Sequence, residues 1–167
     1  MGNVARIWRI GVLSDSHGDQ RGIQRAMAAL QQGGALDMLC FLGDCIQDLP
    51  VIEGLLPQEN TPVVHAVRGN NDLYAREPDA CIAHIGGKKL LLVHGHRQRV
   101  KLHRLALVLQ AEEAGADIAL YGHTHMTDCC YERGILLLNP GAAGGARPTC
   151  ALLTLQGGEV HPEILRL

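Results

Sequence analysis

Positive charge is not in excess in this chain: 15 Lys and Arg stand against 17 Asp and Glu, for a net charge of −2 and a pI near 6.5. Without a polycationic surface, general nucleic-acid binding through the phosphate backbone is not expected. The six cysteines (Cys40, Cys45, Cys81, Cys129, Cys130, Cys150) show no C-x-x-C spacing, and Cys40 and Cys150 lie inside apolar runs. They read as reduced core or loop residues of a cytoplasmic protein. No apolar run approaches membrane-spanning length. The opening Met1-Gly2-Asn3-Val4-Ala5-Arg6 lacks both the apolar stretch of a signal peptide and the Ser or Thr of a myristoylation site, so neither a leader nor a membrane partner is expected. Internal repeats, linkers and low-complexity segments are also missing. The 167 residues are therefore read as one domain over 1–167, long enough to bury a real core. Nothing sets the oligomeric state, and a homo-oligomer stays open.

What is present is a series of metal-type side chains, each placed just after an apolar, strand-like run. Ile10-Gly11-Val12-Leu13 leads into Asp15 and His17, Lys89-Leu90-Leu91-Leu92-Val93 into His94 and His96, and Ile118-Ala119-Leu120-Tyr121 into His123 and His125. Alternate side chains of extended backbone point the same way, so residues two apart can aim at one point beyond a strand end. One such pair is weak evidence, since polar residues often follow core strands. Two more runs, Met38–Leu42 and Pro62–Val67, end in Gly43-Asp44 and Gly69-Asn70-Asn71-Asp72, which makes five strands ending in candidate ligands. Glycine beside most of them allows sharp backbone turns at a crowded centre.

Periodicity places the elements between these motifs. A strand at 6–13 is followed by an amphipathic helix near 20–32, with Ile23, Met27 and Leu30 at helical spacing and Gly33-Gly34 as its stop. A strand near 37–42, a helix near 46–56 and a strand near 63–67 come next. Strands near 80–85 and 88–93 flank Gly86-Gly87, a two-residue hairpin signal. Leu102, Leu105, Ala106, Leu109 and Glu113 predict a helix over 101–114 with one apolar face. The rest reads as strands near 117–121, 127–131, 134–138, 149–155 and 159–165. Alternating elements followed by a strand-rich end predict two packed sheets with helices outside. The small residues of Gly141–Gly145 read as the most flexible loop, and Trp8 as packing. His65, His84, His103 and His161 read as structural or surface residues.

The ordered series D-x-H, G-D, G-N-x-D, H-G-H and G-H-T-H, followed by Asn139-Pro140-Gly141, resembles the calcineurin-like metallophosphoesterases, and in particular their small single-domain bacterial and archaeal phosphodiesterase branch. The resemblance spans residues 10–147. It implies an α/β fold, a four-layer αββα sandwich of two mixed sheets flanked by helices, with ligands on loops at the carboxyl ends of strands. It further implies two divalent ions, one held by Asp15, His17 and His125, the other by Asn70, His94 and His123, with Asp44 bridging. Carboxylate, imidazole and amide ligands without cysteine suit borderline ions; Mn²⁺ is the first choice, with Zn²⁺, Fe²⁺ and Ni²⁺ as alternatives. Two such ions, about 3.5–4 Å apart, can share a hydroxide and clamp the phosphoryl oxygens of an in-line displacement. In this scheme Asp44 and Asn70 serve catalysis as ligands, while Asp72 is no ligand and orients a neighbour.

One position departs from the larger family. Many members carry His after the Asn of G-N-x-D to protonate the leaving oxygen, whereas here the residue is Asn71, which cannot donate a proton as an acid. Either His96 takes over that role, or His96 and Asn71 bind the phosphate and the leaving group needs little help; loss of an acid is worth on the order of 10²–10⁴ in rate. Arg147 is a candidate substrate contact, while Arg68 and Arg97 read as solvated. The expected activity is hydrolysis of a small-molecule phosphodiester, with a monoesterase or nucleotide phosphatase as the alternative on the same site. A non-catalytic interaction scaffold is the alternative outside enzymology, and the intact ligand series speaks against it.

Overall fold

In the computed structural model, which describes residues 5–167, the apolar runs form ten strands sorted into two sheets. The first sheet contains β1 (Ile7–Leu13), β2 (Met38–Phe41), β3 (Val63–Ala66), β9 (Thr149–Gln156) and β10 (Glu159–Arg166), in the spatial order β10-β9-β1-β2-β3. The second contains β4 (Ala80–Ile85), β5 (Lys88–Val93), β6 (Ile118–Leu120), β7 (Thr127–Glu132) and β8 (Ile135–Pro140), in the order β4-β5-β6-β8-β7. Strands β1, β2 and β3 run parallel, as do β5, β6 and β8, while the remaining pairs are antiparallel. Both sheets are mixed.

Burial on both faces explains the unbroken apolar runs. Ile10, Val12, Leu90, Leu92, Ile118, Leu120, Leu136 and Leu138 meet in the core between the sheets. Their neighbours point outward: Leu13, Leu39 and Phe41 pack under Ile23, Met27 and Leu30 of α1 (Gln20–Gln31) and Ile52 of α2 (Leu49–Gly54). Leu91, Val93, Ala119 and Leu137 pack under Leu107, Val108 and Ala111 of α3 (Leu105–Ala114). The layers are thus helix, sheet, sheet, helix. At Gly11 a Cβ would stand 3.0–3.1 Å from Leu36, Leu39 and Leu30 Cδ1 atoms, so a larger residue would force these side chains to shift. Asp19 caps α1, its side chain accepting from the Gly22 amide at 3.0 Å.

Two expectations need correction. The helix expected over 101–114 begins only at Leu105; Arg99 takes a left-handed φ of 55°, and the Leu102 amide donates to Arg99 O in a turn. Its buried face is Leu107, Val108 and Ala111, while Leu102, Leu105 and Leu109 are exposed. The segment Gly141–Gly145 is pinned rather than free: Ala143 is buried and its amide donates to Ser14 O at 2.8 Å, and Gly145 donates to Asp19 Oδ2 at 3.0 Å. The hairpin at Gly86-Gly87 forms as expected, with positive φ at both residues and Ile85 opposite Lys88.

Candidate metal centre

The parallel strands of both sheets end at one edge, where their loops bring the predicted side chains together. Asp15 and His17 follow β1, Asp44 follows β2, His94 follows β5, and His123 and His125 follow β6. Nine non-glycine residues have positive φ among those described, and five of them are Asp15, His17, Asp44, His123 and His125. Such backbone costs about 1–3 kcal/mol per residue and persists where the surroundings hold it for a purpose.

Two clusters result, Asp15 with His17 and His125, and Asp44 with His94 and His123, each with its donor atoms within 4.8 Å of one another. In the first, His125 Nε2 lies 3.1 Å from His17 Nε2 and 3.2 Å from Asp15 Oδ1. In the second, His94 Nε2 lies 3.5 Å from Asp44 Oδ2 and 3.9 Å from Asp15 Oδ1. The outer atoms of the ligands are already engaged. Asp15 Oδ2 accepts from Ser14 Oγ at 2.6 Å and the His123 amide at 3.0 Å. The 2.7 Å contact of His94 Nδ1 with Leu42 O makes Nδ1 the donor and turns Nε2 inward. Asp15 Oδ1 and His94 Nε2 are left buried with no hydrogen-bond partner. An unpaired buried carboxylate oxygen facing an unpaired imidazole lone pair is a costly arrangement that a divalent cation satisfies, so the residues fit the expected group.

Electrostatics agree. Burial opposes the charged form of Asp44, but the adjacent His94 ring, the hydrogen bond from the Asn71 amide and the His17 charge hold its carboxyl well below the usual range. His94 is pushed down by burial and pulled up further by Asp44 and Asp15, for a net rise. Burial, then the Lys101 and His94 charges, push His123 down to about 4, which leaves its ring neutral and able to donate a lone pair at neutral pH. His96 is likewise lowered, chiefly by burial.

The remaining predicted residues are placed as follows. Asn70 is exposed on the loop after β3 and lines a groove of about 320 Å³ with Arg68, Arg97 and His96, whose ring centroid is 5.5 Å from that of His94 and whose Nδ1 is buried without a partner. Asn71 is exposed and contacts Asp44. Its Nδ2 donates to Asp44 Oδ2 at 2.9 Å and its amide to Asp44 Oδ1 at 3.0 Å, so it holds the carboxylate. Arg68 and Arg97 are not simply solvated, since both pair with Asp79, at 2.8 and 3.0 Å. Arg147 is exposed in a separate groove that reaches His125. A further groove, of about 820 Å³, holds Leu102, Arg104 and Tyr121 over the Arg104–Asp128 ion pair and contains none of the candidate ligands.

Asp72 turns both oxygens away from the reacting centre and onto backbone: Gly69, Asp44, Cys45 and Ile46 amides all donate to it, at 2.7–3.0 Å. It is a positioning residue that shapes the Asp44 loop. Asp72→Ala is expected to weaken metal affinity by about 10–100-fold, the range for lost supporting contacts at metal sites. Calorimetric metal titration of the folded variant checks this, and wild-type affinity would contradict the role. The sequence reading missed two further supports. Asp48 accepts from Ser16 Oγ at 2.6 Å and the Gly18 amide at 2.9 Å, fixing the His17 loop. Asn139 donates to Gly122 O at 2.9 Å and Thr124 Oγ1 at 3.0 Å, fixing the His123–His125 loop. An acid inside the apolar stretch around Ile46 and Ile52 was the only signal for the first; the Asn-Pro-Gly motif marked the second without showing its use.

The comparisons with known proteins match this geometry. The sequence pattern of the calcineurin-like phosphoesterase superfamily domain covers residues 8–158. A probable metallophosphoesterase of Methanocaldococcus jannaschii is 34% identical over 158 residues, 93% of this chain and 77% of that protein. One from Bacillus subtilis is 30% identical over 151 residues, 87% of this chain and 83% of that protein. The crystal structure of a phosphoesterase predicted from sequence in Streptococcus pneumoniae superposes with a TM-score of 0.77 at 29% identity, covering 96% of this chain and 90% of that one. With the motifs, the αββα layers and the two clusters in agreement, the chain belongs to the calcineurin-like phosphoesterase superfamily.

Proposed function

We propose that this protein is a dinuclear metal-dependent phosphodiesterase. The observation that carries the reading is the pair of buried, unpartnered atoms, Asp15 Oδ1 and His94 Nε2, at the junction of two three-residue clusters. Asp15, His17 and His125 would hold one ion, His94, His123 and the amide oxygen of Asn70 the other, and Asp44 both, since its carboxylate charge acts on His17 as well as on His94 and His123. Mn²⁺ suits this donor set, with Zn²⁺, Fe²⁺ and Ni²⁺ as competitors. Bound there, divalent ions supply Lewis acidity, acidifying water to the nucleophile and neutralising charge on the phosphoryl oxygens of an in-line displacement.

The chain's own residues do the rest. Asn71 and Asp72 hold Asp44 and its loop in register, so little reorganisation accompanies reaction. His96, at the edge of the centre, hydrogen-bonds a phosphoryl oxygen or passes a proton to the leaving oxygen. Asn71 offers no proton, which favours substrates whose leaving group departs with little protonation. Grooves open at both ends of the centre, beside Asn70 and beside His125. A diester has a substituent for each, whereas a monoester fills one. Free thiols at all six cysteines fit a reducing compartment, and the cytoplasm is the proposed location. No helix among the described residues is long and apolar enough to cross a membrane.

The test is a panel of bis(4-nitrophenyl) phosphate, 4-nitrophenyl phosphate and cyclic nucleotides with Mn²⁺-loaded protein. The aryl diester is expected to exceed the monoester in kcat/KM by about tenfold, a difference of about 1.4 kcal/mol in transition-state binding. Faster monoester hydrolysis would overturn the diester reading, and no turnover on any substrate would overturn the enzyme reading.

A further inference from the structure

The end of the centre formed by His125 opens on a groove of about 450 Å³, whose walls include Met126, Thr127, Arg147, Pro148 and Arg166. Two arginines line this groove. Arg68, Arg97, Arg104 and Arg133 each pair with a carboxylate. Arg147 and Arg166 form no ion pair among the described residues, and no acidic side chain lines their groove, whose wall also includes Leu167.

The backbone beneath the two arginines is fixed. Arg166 stands opposite Thr149 in the β9–β10 ladder, and the Leu167 amide donates to Pro148 O at 3.0 Å. The Thr149 amide donates to Ala142 O at 2.8 Å, and Ala143 and Gly144 donate to Ser14 O and Asp15 O at 2.8 and 3.3 Å. The segments bearing the two arginines are therefore stitched to each other and to the loop that carries Asp15 and His17. A rigid frame that lines one groove with two arginines lacking an ion-pair partner, beside a candidate metal ligand, suits an anion: planar forks match phosphate oxygens bidentately, and an anion bound near both relieves their mutual repulsion.

We propose that this groove is a second-phosphate subsite, so that the substrate is a phosphodiester with a further phosphate on the arm that passes His125. This deepens the phosphodiesterase reading and rests on it for the position of the scissile group. The two anions divide between two kinds of site: the diester at the clusters, and the additional phosphate between Arg147 and Arg166. Both guanidinium groups are exposed, so screening by salt limits the gain.

Calorimetry on Mn²⁺-loaded protein with two probes, propane-1,3-diyl bisphosphate and propyl phosphate, tests the subsite without turnover. Wild type is expected to bind the bisphosphate about tenfold more tightly, equivalent to about 1.4 kcal/mol. The Arg147→Ala/Arg166→Ala double variant should reduce the ratio to the statistical advantage of two equivalent ends. The Arg147→Lys/Arg166→Lys variant, keeping charge but not the planar fork, should fall between. A wild-type ratio no larger than that statistical advantage would overturn the subsite, with or without folded variants, and so would an alanine double variant that keeps the wild-type ratio. Hydrolysis of bis(4-nitrophenyl) phosphate, measured in parallel, separates the two readings: absent turnover with the tenfold ratio intact sinks the esterase and leaves the anion subsite standing.

Discussion

Chelation of divalent ions is expected to bring hydrolysis of bis(4-nitrophenyl) phosphate down to the uncatalysed background, and Mn²⁺ to restore it. The reasoning starts from the donor atoms. Asp15 Oδ1 and His94 Nε2 are buried and unpartnered, and the Asp44 carboxyl is held ionised beside them, so the folded chain turns charge and lone pairs toward a common point. No serine or cysteine takes over as nucleophile, because Ser14 Oγ is committed to Asp15 and Ser16 Oγ to Asp48, and burial raises the thiol of Cys45, which lies next to Asp44 in the chain. Without acidified water there is no nucleophile of comparable strength at neutral pH. The same ions should stabilise the fold, since the unfolded chain has no preformed site. At about a thousandfold excess over Kd the gain is roughly 4 kcal/mol, which for a domain of this size is about 8–16 °C in Tm. Differential scanning fluorimetry with and without Mn²⁺ reads this directly. Full turnover after exhaustive chelation would remove the metal from the mechanism, and a Tm unmoved by any of the four candidate ions would remove it from the site.

How much of this was legible in the sequence depended on how local the cause was. The candidate ligands could be read because each follows an apolar run directly, and the structure brings Asp15, His17, Asp44, His94, His123 and His125 into two clusters. Strand positions were equally legible, since burial on both faces leaves an uninterrupted apolar signal. The face of α3 was not: Leu102, Leu105, Ala106, Leu107, Val108 and Leu109 are apolar around most of the circumference, so periodicity alone could not choose Leu107, Val108 and Ala111 over Leu105 and Leu109. Small residues misled at Gly141–Gly145 for a related reason. Smallness can mean freedom or close approach, and here it is close approach: a Cβ on Gly144 would stand 2.4 Å from Ser16 O, and one on Gly22 would stand 2.1 Å from Ala143 O. The supporting acids were legible only in part: the motif gave Asp72 an orienting role without its partners, and Asp48 went unread, because what both do is set by which backbone amides the fold turns toward them.

Asn71 shows how a local reading can be right in chemistry and incomplete in contacts. The amide cannot act as an acid, as its composition dictates, and the structure adds a contact that its place in the motif did not announce. With both its amide groups on Asp44, it fixes the carboxylate that both clusters feel. At a family position that elsewhere moves a proton, this chain places an amide bound to Asp44, and in the proposed mechanism leaving-group chemistry would pass to His96 or to the substrate.

That concentration of contacts makes Asp44→Asn the substitution with the largest expected effect on catalysis. Asp44 is 2% exposed, accepts two hydrogen bonds from Asn71 and lies 3.5 Å from His94 Nε2. The asparagine would present an NH₂ group where one of these donors points, and would remove the negative charge acting on His17, His94 and His123. Losing one member of a buried, hydrogen-bonded charge pair costs about 3–5 kcal/mol. Expressed at the transition state, that is a fall in kcat/KM on the order of a thousandfold. The metal-induced rise in Tm should shrink in the same variant, because the shared ligand is gone, while cooperative unfolding of the metal-free protein persists on three hydrophobic layers that Asp44 does not join. His103→Ala, at an exposed residue outside both clusters, should change neither quantity. An Asp44→Asn protein that keeps wild-type turnover, or that gains as much stability from Mn²⁺ as wild type does, would show that the two clusters do not share this carboxylate.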